Sequence, residues 1–171
     1  MPITKPPVSE YPSYYHTYVG KVNHNNLIDA LRESSGDFIQ FLQDIPEEKH
    51  DYRYAEGKWT VKEVVAHIID CERVFIYRAL SFSRNDKTEL PFFDENAWAP
   101  QSNAANRTME SLIDEYQSAR HANIAFFEGI TDEMALRKGK ANGNEISVRS
   151  LGFILSGHEL HHQQVIKERY L

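Results

Sequence analysis

The stretch GHELHHQQ, from Gly157 to Gln164, contains residues whose types and spacing could carry out metal chemistry. Its H-E-x-x-H pattern would make His158 and His162 zinc ligands and Glu159 a general base, as in metalloproteases. Common proteases of this kind take their third ligand downstream, but the sequence after His162 holds no histidine, cysteine or aspartate. We therefore expect the third ligand of any metal site upstream.

Both histidines fall on the apolar stripe of a predicted helix that begins at its cap, Ser147, and ends near Arg169. The inward positions are Leu151, Leu155, His158, His162 and Val165, spaced four and three residues apart as in a helical-bundle seam. Imidazoles four residues apart can share one ion; the alternative is a pair of buried, hydrogen-bonded histidines without ligand. Glu159 lies roughly 80° from the stripe, so we expect it to face solvent or a neighbouring subunit.

His67 is the best upstream candidate for the third ligand, because it lies between Val64 and Cys71 at the edge of another apolar helix face. If the two helices are antiparallel neighbours, His67, His158 and His162 meet at one end of a bundle. The sequence thus predicts a three-histidine metal site with positions open to water or substrate. Three neutral imidazoles suit zinc, nickel, iron or copper, and we favour zinc or nickel.

The five other histidines are weaker candidates. His161 could orient a ligand or reach the rim of the site, and the rest are expected at the surface: His16, His24, His50 and His121. A carboxylate-bridged di-iron centre would need two Glu-x-x-His motifs and two further glutamates. Glu159 and His162 form the only such motif on a predicted helix, since Glu47 and His50 lie in a linker, so this centre is not expected.

Apolar residues at helical spacing predict four helices that would position these histidines. They span roughly Asn25 to Leu42, Thr60 to Phe82, Thr108 to Gly129 and Ser147 to Arg169, including capping residues. Thr60 and Glu63 form a capping-box signal at the start of the second. No segment alternates like a strand, and the first twenty residues, rich in proline and tyrosine, are expected to form an extended arm. The expected fold is an all-α four-helix bundle, a single domain over residues 1–171.

A long connection between the second and third helices, residues 83–107, lacks clear periodicity and is typical of a functional loop. Its aromatic residues Phe92, Phe93 and Trp98 are expected to form either a dimer interface or the wall of a pocket. The connection leaves its helix at the end opposite His67, so it would need to fold back about 20 Å to reach the histidines.

Composition restricts the partners. A net charge of −6 and a pI near 5.7 argue against nucleic acid or an anionic membrane surface. The single cysteine, Cys71, excludes an internal disulfide and suits a reducing compartment. No apolar stretch has the length of a signal-peptide core or a membrane span. We expect a cytoplasmic protein that acts on a small molecule.

Three stretches resemble the DinB superfamily, particularly its YfiT-like branch of metal-dependent hydrolases and thiol S-transferases. They are KWTVKEVVAHIIDCERVFIYRAL, PFFDENAWA and GHELHHQQVIKERYL, and the resemblance covers roughly Tyr52 to Leu171. It implies a four-helix bundle that is usually a homodimer, with a divalent metal held at His67, His158 and His162. Members of the family include thiol S-transferases that use bacillithiol and related enzymes that depend on mycothiol.

The leading functional hypothesis is therefore a metal-dependent enzyme that activates either a low-molecular-weight thiol or water. A thiol S-transferase and a hydrolase both fit this hypothesis, and no acid or base residue is assigned. Two alternatives come from other classes: a non-catalytic, metal-binding stress-response module, and a structural bundle whose histidines are simply buried. The metal content of the purified protein would separate the last of these from the others.

Overall fold

Helices form where apolar residues repeat at helical spacing in this computed structural model, which describes residues 2–171. The α-helices are α1 His16–Lys21, α2 Leu27–Gln43, α3 Val61–Ser83, α4 Glu95–Trp98, α5 Met109–Glu128, α6 Asp132–Leu136 and α7 Val148–Arg169. Two strands, β1 Lys138–Ala141 and β2 Asn144–Ser147, form a hairpin between α6 and α7. The four long helices α2, α3, α5 and α7 confirm the predicted helical bundle.

Each long helix begins at a side chain that caps free backbone N–H groups, which explains why the predicted boundaries are accurate. The caps are Asn26, Thr60, Thr108 and Ser147. Thr60 forms the predicted capping box: its hydroxyl accepts from the Glu63 backbone at 3.1 Å, and its own N–H donates to the Glu63 carboxylate at 2.7 Å. The capping box therefore fixes the start of α3 at Val61, six residues before His67.

Around the core, the long helices follow the order α2, α7, α3, α5, so α2 and α3 occupy opposite corners although they are consecutive in the chain. Ser34 of α2 hydrogen-bonds Ser156 of α7, and Leu27 lies against Gly152, so these two helices run parallel. This order differs from a simple up-and-down bundle, in which consecutive helices are neighbours.

α3 and α7 are antiparallel neighbours, as the three-histidine hypothesis requires. The hydroxyl of Tyr170, just after α7, donates to the carbonyl of Trp59, just before α3. The N-terminal half of α3 thus lies against the C-terminal half of α7.

α7 is buried on nearly all sides, because α1, α2 and α3 all pack against it. Every residue from Ser150 to Glu159 is buried, so the apolar stripe predicted for this helix is only part of its buried surface. The core consists of two apolar clusters. Between them lies a buried polar layer, formed by Glu72, Tyr116, Arg120, Asn123 and Glu159.

The expectation of no strands is wrong for residues 138–147. Asn142 and Gly143 both have positive φ, 49° and 74°, as a two-residue hairpin turn requires. The strands have four residues each, and Leu90 bridges to Ala141 beside them. Strands this short show little alternation, but the Asn-Gly pair was a usable turn signal.

The expected extended arm is partly helical. Residues 8–10 and 13–15 form single 3₁₀ turns, and α1 packs against α7. A Cβ atom added at Gly157 would lie 2.0 Å from the carbonyl oxygen of Tyr18, so glycine permits this close approach. Residues 2–171 contain no helix with the length and hydropathy of a membrane span.

Candidate metal centre

The structure brings together the three histidines that the sequence singled out. α3 positions His67, and α7 positions His158 and His162 one turn apart. The Nε2 atom of His158 lies 3.1 Å from that of His67 and 3.0 Å from that of His162. The ring centroids of His67 and His162 are 5.0 Å apart. The three imidazole rings therefore form one cluster, with His158 Nε2 in contact with the Nε2 atoms of the other two.

Hydrogen bonds among the three rings cannot account for this arrangement. In a neutral imidazole each ring nitrogen is either a donor or an acceptor, so His158 Nε2 cannot accept from one neighbour and donate to the other. An ion with metal–nitrogen bonds of about 2.0–2.1 Å would hold its ligand nitrogens about 3 Å apart. The observed separations of 3.0 and 3.1 Å fit a shared divalent transition metal.

Burial keeps these imidazoles in the neutral form that binds metals. It lowers the pKa of His67 to about 4. Burial, with the neighbouring imidazoles adding to it, also holds the pKa values of His158 and His162 well below their usual range. All three rings are therefore uncharged at neutral pH.

Cys71 is a neighbour of the site that the sequence reasoning placed only on an apolar face. Its Sγ atom lies 3.7 Å from Nε2 of His67, and His67, Cys71 and His158 could also hold an ion. Burial raises the pKa of this thiol well above its usual value, and nearby carboxylates raise it further. The spacing of four residues after His67 was the signal that could have identified it.

We expect Cys71→Ser to keep the full metal content, because three imidazoles already supply the protein ligands of an open site. Competition with a chromophoric chelator should show an affinity within about tenfold of the wild type. His162→Ala, which removes the other possible third ligand, is the matched control and should lose most of the ion. If Cys71→Ser lost the ion and His162→Ala retained it, the ligands would instead be His67, Cys71 and His158.

Aromatic rings enclose the three histidines. Trp59 lies 4.8 Å from the His67 ring, and Tyr18 and Phe75 lie 5.3 and 6.2 Å from the His158 ring. The His161 ring packs against the rings of Tyr18 and His162, at centroid distances of 5.2 and 5.1 Å. In residues 2–171 no hydrogen-bond-range contact joins it to the Nε2 atoms of the three histidines. The weaker candidates are also elsewhere: His16 and His121 are exposed, and His24 and His50 are half-buried in other contacts.

The expected position of Glu159 is wrong: this side chain is 0% exposed. Its carboxylate accepts from the Tyr116 hydroxyl and lies 2.8 Å from Arg120 Nη2. Arg120 also donates to Glu72 at 2.6 Å. The flank of α7 that carries Glu159 faces the polar layer rather than solvent, since α7 is enclosed by its neighbours. A protease-like base at this position is therefore not supported.

A cavity of about 490 Å³ opens beside the histidines. The arm, α3, the connection and the hairpin all line it, and Phe92 and Phe93 form part of its wall. The connection between α3 and α5 thus folds back toward the histidines, as expected if its aromatic residues form the wall of a pocket. Trp98 packs on Phe93 at 5.2 Å and remains 45% exposed. The dimer-interface alternative stays a prediction.

Comparisons with known proteins agree with this fold. A protein of Oceanobacillus iheyensis named "Putative metal-dependent hydrolase" is 29% identical over 143 residues, 82% of this chain and 79% of the relative. YfiT from Bacillus subtilis, with an unusual four-helix bundle topology, superposes with a TM-score of 0.72 at 23% identity, covering 83% of this chain and 82% of YfiT.

A mycothiol-dependent maleylpyruvate isomerase superposes with a TM-score of 0.66 at 10% identity. The match covers 81% of this chain but 58% of the isomerase, so it shows a shared bundle and no more. The family model of the DinB superfamily matches residues 30–166, which cover most of each of the four long helices and include the three histidines. The chain therefore belongs to the DinB superfamily.

Proposed function

We propose that the chain is a metal-dependent thiol S-transferase that joins a low-molecular-weight thiol to an electrophilic small molecule. His67, His158 and His162 would hold the ion, zinc or nickel. The observation that carries this proposal is the direction of Glu159, the carboxylate beside two of the ligands. It points into the polar layer, whereas the cavity around the histidines is lined by several aromatic rings, among them Trp59, Phe75 and Phe93.

Thiol activation suits such a cavity better than water activation. Attack by water commonly uses a carboxylate or histidine as general base within hydrogen-bond reach. A divalent ion, when bound, would lower the pKa of a thiol far enough to form thiolate near neutral pH. The rings of Trp59, Phe75 and Phe93 would then exclude water and pack against an apolar electrophile.

Hydrolysis is the second candidate, favoured by one residue of the cavity wall. Glu95, at the start of α4, is half-buried and lines the cavity. It would be the base in a hydrolytic reaction. The name of the Oceanobacillus iheyensis relative points to the same class.

The decisive experiment measures thiol consumption by protein loaded with zinc or nickel, using monobromobimane as electrophile and several thiols. The thiol loses its proton to solvent, its sulfur forms a bond to the bromomethyl carbon, and bromide leaves. We expect a rate at least about tenfold above the uncatalysed reaction for a preferred thiol, which His67→Ala should abolish. Ester hydrolysis that is lost in Glu95→Gln, without thiol consumption, would select the hydrolase.

The remaining properties stay predictions of the sequence. They are a homodimer, a cytoplasmic location and partners that include neither nucleic acid nor membrane. Light scattering of the purified protein at micromolar concentration tests the first, and a monomer there would contradict it.

A further inference from the structure

Arg78 is a buried cation in the wall of the cavity. It lies eleven residues after His67 on α3 and is only 5% exposed. Its guanidinium donates to the carbonyl of Pro91 at 2.8 Å, and the hydroxyl of Tyr15 lies nearby. Both groups are neutral, and the bond to Pro91 uses one of the five N–H donors.

The rest of the environment of Arg78 is aromatic. The guanidinium carbon lies 5.7 Å from the ring centroids of both Phe75 and Phe93. Across residues 2–171 no carboxylate forms an ion pair with it. Arg120, the other deeply buried arginine, contacts two carboxylates in the polar layer. The fold thus neutralises the charge of Arg120 and leaves the charge of Arg78 without a counter-ion beside the cavity.

We propose that Arg78 binds a carboxylate of the small molecule that enters this cavity. A buried charge without a counter-ion is unfavourable, so a bound anion would compensate for the lost hydration. The planar guanidinium matches a carboxylate in geometry and can donate two parallel hydrogen bonds to it. One positive charge balances one negative charge, and this favours a carboxylate over a doubly charged phosphate.

The position of Arg78 also limits the shape of the ligand. Eleven residues of helix separate His67 from Arg78 by roughly 16 Å along the axis, and an arginine side chain shortens the gap by several ångströms as it leans toward the N-terminus. The ligand would therefore carry its carboxylate about 10 Å from the histidines, with an apolar part between the aromatic walls. This inference rests on the proposed function in one respect only: both place a small molecule in the same cavity.

Binding to the metal-free protein tests the proposal without any turnover. The probes are 3-phenylpropionate, its uncharged analogue 3-phenylpropionamide and 2-phenylethyl phosphate, each titrated by calorimetry after removal of metal with a chelator. We expect the carboxylate to bind at least about tenfold more tightly than the amide. Arg78→Met, which keeps length and apolar volume, should remove this preference and leave amide binding unchanged.

Glu95→Gln is the matched control, because Glu95 lines the same cavity with the opposite charge. It should bind the carboxylate as tightly as the wild type or more tightly. Equal affinity for carboxylate and amide in the wild type would overturn the proposal, even if Arg78→Met failed to fold. Tighter binding of the phosphate would overturn the choice of carboxylate. Failure of the thiol assay with these results intact would refute the reaction and leave the anion site standing.

Discussion

Replacing His158 with leucine is expected to abolish metal binding. Its Nε2 atom lies between those of His67 and His162, at 3.1 and 3.0 Å, so its loss leaves two nitrogens without the central ligand. Wild-type protein purified without a histidine tag should contain about one divalent ion per chain, and the variant less than about a tenth of that. Elemental analysis by plasma mass spectrometry measures both.

Leucine is chosen because the neighbouring inward positions of α7, Leu151 and Leu155, are leucines, so the fold should survive. An unchanged far-ultraviolet circular dichroism spectrum would show this. His161→Ala is the matched control, since His161 lies on the same helix next to His162 but is not one of the three candidate ligands. Full metal content in the His158 variant would refute the three-histidine site, and equal losses in both variants would mean that binding is nonspecific.

Arg120→Met is expected to cause the largest loss of stability of any change in the polar layer. Arg120 is fully buried and contacts Glu72 and Glu159, so its removal leaves two carboxylates in the core without their counter-ion. Breaking a buried ion pair by removing one partner costs about 3–5 kcal/mol. Urea denaturation of the metal-free protein, followed by circular dichroism, gives the free energy of unfolding.

Arg73→Met provides the comparison, because Arg73 forms a more exposed ion pair with Glu115 on the same pair of helices. Exposed pairs contribute at most about 1 kcal/mol. If both variants lost a similar small amount of unfolding free energy, the buried ion pairs of the polar layer would not stabilise the fold as proposed. Metal content in Arg120→Met should follow the fraction of folded protein, since Arg120 is not a ligand.

Local signals made most of the fold predictable from the sequence. Caps such as Thr60 and Ser147 act within one helical turn, and apolar residues at helical spacing extend over whole helices. Both signals can therefore be recognised in the sequence without the tertiary structure. The proximity of His67, His158 and His162 was predictable in the same way, because two fall on an apolar stripe and the third at the matching depth of another helix. Their role as metal ligands stays a prediction.

The errors concern properties that depend on the neighbouring elements. A helical wheel gives the angle of Glu159 around α7 but does not say which helix faces that angle. Tyr116 and Arg120, on a helix 30 or more residues earlier in the chain, decide its burial. The hairpin at residues 138–147 was missed because two four-residue strands are too short to show a period.

His67 and His158 are 91 residues apart in the sequence, so an ion that both bind would close a long loop of chain. In the unfolded state, closing such a loop costs conformational entropy that grows with the logarithm of its length. The folded bundle has already brought the two ends together, so an ion held by these histidines would bind it far more tightly than the unfolded chain. Each tenfold rise in free ion above the dissociation constant then adds about 1.4 kcal/mol to the free energy of unfolding. The supply of the ion would thus regulate how long the protein survives heat or proteolysis, independently of any reaction at the site.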